Sequence, residues 1–134
     1  MDAPALSDLH YRQSGLLGLS GISNDMPTLE ASDAPEAAEA IACFTACIRR
    51  ELGGLAAMLG GIDGLVFTGG IGENSARVRA AVCEGMGWMG IVTDAGRNDR
   101  SERDIGTGAT RVLVMPTNEE RVIARAARAL AGDR

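Results

Sequence analysis

Ile41, Thr45, Ile48, Leu52, Leu55 and Leu59 recur at three- and four-residue steps. At 3.6 residues per turn they fall on one stripe, which predicts an amphipathic helix. Asp33, Ala34, Pro35 and Glu36 have the form of a capping box with Pro in the first turn, and Gly60 with Gly61 supplies the stop. Residues 64–68, GLVFT, then form a short apolar run bounded by glycines, the pattern of a strand buried on both faces. It feeds directly into GGIGENS. Val78, Val82, Cys83 and Met86 mark one face of a second helix, and residues 90–92 read as a brief strand. Residues 94–108, charged and glycine-bearing, read as a long surface connection. Residues 111–115 read as another strand, and PTNEE at 116–120 leads into a helix reaching about Leu130.

The start of the chain is turn-rich. Residues 5–12 carry a short helical pattern, and SGLLGLSGISNDMP reads as extended pieces joined by turns. Strands alternating with helices predict an α/β fold. Only two strands are convincing, and two strands leave long unpaired edges, so residues 1–134 read as one segment of a larger α/β domain that is incomplete on its own.

Composition narrows the chemistry. A chain of 134 residues with 46% apolar content can order one modest core. A formal charge of −5 gives no attraction for nucleic acid or anionic lipid, so neither is expected as a partner. All 13 basic residues are Arg, which excludes a Walker A lysine, a Schiff-base lysine and a lysine clamp on phosphate. Cys43, Cys47 and Cys83 lack CxxC spacing and have only His10 as an imidazole companion, so buried reduced thiols are expected instead of disulfides or zinc. The first residues show no leader pattern and no apolar run reaches membrane-spanning length, which makes a cytoplasmic location the expectation.

The segment from Thr68 to Ser75 lies between a strand and a helix start, where backbone N–H groups are free and missing Cβ atoms let a ligand approach. A nucleotide is the natural guest, and a plain tight connection is the alternative. The dinucleotide fingerprint requires Gly or Ala where Ser75 stands, which counts against an NAD-binding oxidoreductase. Glu119 and Glu120 open the last helix. With Thr117 as N-cap, Glu120 at the third helical position closes a capping box and Glu119 stays free for a ligand. His10 lies in a poorly patterned stretch and receives no catalytic role. Trp88 and the methionines near it read as packing groups.

The string LVFTGGIGENSARVRAAVC closely resembles the adenosine-side motif of the acetokinase family, the acetate kinases within the sugar kinase, Hsp70 and actin superfamily. SGLLGLSGISNDM, LGGIDGLVF and VMPTNEERVIARAA agree with that family in order and spacing. The resemblance covers nearly the whole chain and about the last third of the family's usual length. It implies the C-terminal part of a ribonuclease H-like nucleotide-binding domain, with ATP or ADP and Mg²⁺ as cofactors and acetate or another short-chain carboxylate as substrate. By the same resemblance, Gly70, Ile71, Gly72, Glu73 and Asn74 wrap adenosine, Asp25, Met26 and Pro27 form a second nucleotide-side segment, and Glu119 serves magnesium. The family usually carries Arg at the position of Pro27, which cannot supply a guanidinium contact. The reaction implied is phosphoryl transfer between ATP and acetate, in a homodimer. The arginines, histidine and aspartate that surround the transferring group in the family have no counterparts here, so this chain alone is expected to be inactive. Propionate or butyrate kinase, and a non-catalytic nucleotide-binding remnant, are the alternatives.

Overall fold

The computed structural model describes residues 2–131, with the side chain of Glu119 outside the described set. Its longest element is α4 (Pro35–Leu59), 25 residues ended by Gly60 in the left-handed conformation. The Gly61 N–H closes that end on the Ala56 carbonyl at 2.9 Å. The expected capping box is not formed: Ala34 occupies the N-cap without a side-chain bond, and the Ala34 N–H instead takes the Ser32 hydroxyl. Pro35 alone starts the helix, its fixed φ and missing N–H suiting the first turn. The buried stripe runs through Ala37, Ala40, Ile41 and Thr45, while Leu55 and Leu59 at the far end are exposed.

Two strands, β1 (Gly64–Phe67) and β2 (Arg111–Val114), pair in parallel with Gly64 opposite Arg111 and Phe67 opposite Val114. The Arg111 N–H donates to the Asp63 carbonyl and the Met115 N–H to the Phe67 carbonyl. Because backbone direction alternates along a strand, Gly64 and Val66 turn their N–H and C=O groups to the other side. That side is open. The far margin of β2 is covered, since Ile105 donates to the Val112 carbonyl and Val114 donates to the Arg103 carbonyl. Nor is β1 buried on both faces as its composition predicts, since Val66 is 48% exposed.

The core lies between α4, the sheet and α6 (Ala76–Cys83), where Val78, Val82, Cys83, Phe67, Ile41 and Val112 meet. Met26 and Leu29 of α3 (Met26–Glu30) close it from the other side. Burial pushes the Cys83 thiol up to about 11. Cys43 and Cys47, expected to be buried, sit exposed on α4 away from its buried stripe. Trp88, expected to pack, is 72% exposed.

The short helical pattern at residues 5–12 is met by α1 (Ala3–Asp8) and a π-helical turn (Leu9–Gln13). Beyond it, short helices replace segments that read as turns or loops: α2 (Gly15–Ser20) forms and α3 follows. The glycine segment is itself α5 (Gly69–Asn74). Within the expected surface connection, α7 (Ala95–Asp99) is capped by Asp94 and Ile105 is fully buried. Residues 90–92 do not form a strand; one antiparallel bridge, Thr93 to Gly106, stands near them. The last helix, α8 (Glu119–Ala131), leaves Val122, Ile123 and Leu130 exposed.

Candidate functional site

At the end of β1 the chain turns through Gly69, whose φ of +74° is a conformation that L side chains rarely adopt. The Gly69 N–H donates to Glu73 Oε1 at 2.8 Å. The same oxygen accepts the Thr117 N–H at 2.9 Å and the Thr117 hydroxyl at 3.1 Å. One carboxylate thus ties the start of α5 to the segment leading into α8. The Thr117 N–H, followed by the Gly69 N–H and the Thr117 and Thr68 hydroxyls, holds the Glu73 carboxyl below its usual range against desolvation. Gly72 has a structural reason to lack a side chain, since a Cβ there would lie 3.3 Å from the Phe67 carbonyl carbon. Asn74 Nδ2 donates to the Gly70 carbonyl at 2.8 Å and closes the turn from its other end.

Behind the turn, Arg79 of α6 is completely buried. Its Nη1 donates to the carbonyls of Gly72 at 3.0 Å and Glu73 at 2.9 Å. Its Nε reaches Asn98 Oδ1, and its Nη2 reaches the Asn98 carbonyl and the Ser101 hydroxyl. Desolvation lowers its pKa from the ordinary arginine value. Asn98 Nδ2 donates in turn to the Ala76 carbonyl at 2.8 Å.

In front of the turn lies a cleft of about 430 Å³. One wall is the start of α3, with Asn24, Asp25, Met26, Pro27 and Glu30; the other is Gly70, Ile71, Asn74 and Ser75. Two segments far apart in sequence meet here because α3 and α6 both pack on α4 and are joined directly. The joint is Ser75, whose hydroxyl caps α6 by accepting the Val78 N–H at 2.9 Å and donates to Glu30 Oε1 at 2.5 Å. Asp25 caps α3, accepting the Thr28 N–H at 3.1 Å and the Thr28 hydroxyl at 2.6 Å. Met26, Pro27 and Ile71 give the cleft apolar surface, and Asp25, Glu30 and Asn74 give it acceptors and an amide. No cation lines it among the described residues. Such a lining repels phosphate and suits a neutral, flat heterocycle or sugar with N–H and O–H groups to donate.

Of the residues singled out by sequence, Asp25, Met26, Pro27, Gly70, Ile71 and Asn74 converge on this cleft. Gly72 and Glu73 lie behind it, Gly72 against β1 and Glu73 on Thr117. The cap at the start of α8 differs from expectation: Asn118 Oδ1 accepts the Arg121 N–H at 2.8 Å, while Thr117 is engaged by Glu73. Glu120 therefore does not close a capping box with Thr117. The backbone of Glu119 opens α8, and its side chain lies outside the described residues. No group of three His, Cys, Asp or Glu gathers into a metal site among the described residues. Periodicity overlooks Arg79, Ser75 and Glu30. The signal for Arg79 was present, since it stands three and four residues before Val82 and Cys83 on the buried face of α6.

A strand, a tight glycine turn and a capped helix walling a cleft on a partial parallel sheet define a ligand-cleft piece of an α/β domain, and the solved structures that share it include acetate and propionate kinases. The acetate kinase of Porphyromonas gingivalis superposes with a TM-score of 0.86 at 35% identity, over 98% of this chain and 35% of that one. A propionate kinase of Francisella tularensis gives 0.83 at 32% identity, over 92% of this chain and 33% of that one. The sequence model of the acetokinase family matches residues 1–125, and the chain belongs to that family. The acetate kinase of Methylocella silvestris is 55% identical over 127 residues, 93% of this chain and 31% of that protein. The chain therefore spans about a third of the length of the relatives it matches.

Proposed function

We propose that the cleft between α3 and the glycine turn holds the adenosine end of ATP or ADP. In this reading the chain is the nucleotide-side part of a kinase that moves a phosphoryl group between ATP and acetate. The observation that carries it is the convergence of Asp25, Met26 and Pro27 with Gly70, Ile71 and Asn74 on one cleft that has acceptors and apolar surface but no cation among the described residues. Pro27 and Ile71 would flank the purine, with Met26 closing the floor behind them, and the free acceptors of the lining would take N–H and O–H groups of base and ribose. The phosphates would then point out of the cleft. The likeness to a propionate kinase supports a second carboxylate, propionate, equally well.

Magnesium, when bound, would neutralise charge on the phosphate oxygens. The described residues do not gather a cation cage. The donor set proposed is Glu119 with water and phosphate oxygens, as suits a hard ion that keeps part of its hydration. Phosphoryl transfer also needs groups that stabilise charge around the transferring phosphorus, and the described cleft supplies none. The chain alone is thus expected to bind nucleotide without turnover, and the complete enzyme to act in the cytoplasm as a homodimer.

Calorimetric titration with ATP and Mg²⁺ tests the reading. A Cβ on Gly70 meets nothing within 4 Å, so Gly70→Phe should fill the cleft and abolish binding while the protein stays folded. Glu119→Ala should weaken ATP with magnesium and leave adenosine binding unchanged. Unaltered affinity in Gly70→Phe would sink the cleft assignment, and acetyl phosphate made by the purified chain would sink the claim of inactivity.

A further inference from the structure

We propose that Arg79 is the positioning residue of the nucleotide cleft, shaping the glycine turn from behind by gathering the carbonyl ends of two helices. The proposal rests on the nucleotide reading above for its functional consequence, and on geometry for the rest. A guanidinium has five N–H donors in a fixed fork, and each finds an acceptor here. Two go to Gly72 and Glu73, near the end of α5, and three go to Asn98 and Ser101, at and beyond the end of α7.

None of these partners is a carboxylate. Three backbone carbonyls, one amide oxygen and one hydroxyl hold a cation that is completely shielded from water. The last carbonyls of a helix lack intrahelical partners and carry the negative end of its dipole, so they answer both the charge and the hydrogen-bonding capacity of the guanidinium. Burying a cation this way is costly, and a packing role alone would be met by Met or Leu without that cost. The arrangement makes sense as a clamp. α5 has only six residues, too few to hold a helical turn by its own bonds.

The two faces of this turn divide the work. Gly70, Ile71 and Asn74 face the cleft, while the Gly72 and Glu73 carbonyls face Arg79. The clamp therefore fixes where the cleft wall stands without touching its occupant. A lysine at this position would not reproduce it, because an ammonium on a flexible stem offers three donors from one point and cannot span α5 and α7 together. Pulling on the α7 end of the fork should also be felt at the cleft.

The test uses the full chain and combines ADP titration with amide hydrogen exchange. Arg79→Met should raise the ADP dissociation constant about tenfold, and Arg79→Lys should fail to restore it. Ser101→Ala, which removes one acceptor remote from the cleft, should raise it about twofold. Exchange should quicken at residues 69–74 while the centres of α4 and α6 stay protected. Exchange that quickens uniformly with unchanged affinity would reduce Arg79 to general stability and overturn the proposal, as would full rescue by Arg79→Lys. Should Arg79→Met fail to fold, Ser101→Ala and Asn98→Ala carry the decision by the same two readouts. If the wild-type chain binds no ADP, the nucleotide reading fails instead, and quickened exchange confined to residues 69–74 in Ser101→Ala still decides whether Arg79 sets the turn.

Discussion

Glu73 Oε1 receives three donors from two separate segments, so its charge state decides whether the Thr117 segment stays attached to the turn. Its folded-state pKa lies below the unfolded value, chiefly through the Thr117 N–H. The stabilisation it provides is therefore complete above the unfolded value and is lost as pH falls through the folded one. Amide resonances of Gly69 and Thr117 should titrate together with a midpoint below the usual glutamate range. In Glu73→Gln that shared transition should vanish; its persistence would mean another group titrates. This tie was not legible in the sequence, because partners 44 positions apart leave no local pattern. For Arg79, spacing from Val82 and Cys83 marks the inward face, but its acceptors leave no local pattern, since they lie up to 22 positions away.

Among the elements, what could be read was what is long or sharply bounded. α4 announces itself by its stripe and its glycine stop, β1 and β2 by apolar runs, and α6 by the spacing of Val78, Val82 and Cys83. α2, α3, α5 and α7 span five or six residues each, about one and a half turns, which is too short for periodicity to emerge. Local chemistry marks five helix starts instead. Asp2, Asp25, Ser75, Asp94 and Asn118 each accept an N–H three residues ahead and start α1, α3, α6, α7 and α8. Ser75 does more than cap, because its hydroxyl also joins Glu30 across the cleft floor. Ser75→Ala should cost roughly 1 kcal/mol for the lost cap, with a further loss from the broken joint. Thermal melts would show the sum. Ser75→Asp restores an acceptor for the Val78 N–H but places a second carboxylate beside Glu30, and it should remain destabilised. A melt matching the wild type would mean that the joint to Glu30 contributes nothing.

For the molecule as a whole, the unequal margins of the sheet matter most. Amides of Leu65 and Phe67 point toward β2, whereas those of Gly64 and Val66 point to the open side, so exchange along β1 should alternate between slow and fast. Uniform protection of all four would show that the open side is already occupied. An apolar groove of about 710 Å³ runs beside that margin, lined by Phe44, Ile48, Leu52, Leu55 and Val66. The two convincing strands and their exposed edge were legible beforehand. The sealing of β2 was not, since residues 103–106 carry no strand pattern and pair only because Ile105 is drawn into the core.

That lopsidedness has a directional outcome. With residues 103–106 standing guard on one flank, the sheet can be extended from β1 alone among the described residues, and a newcomer seated there has one end next to Thr68 and Gly69, where β1 itself gives way to the turn. Whatever polypeptide completes this architecture would thus stand beside the cleft proposed for the nucleotide and share its wall.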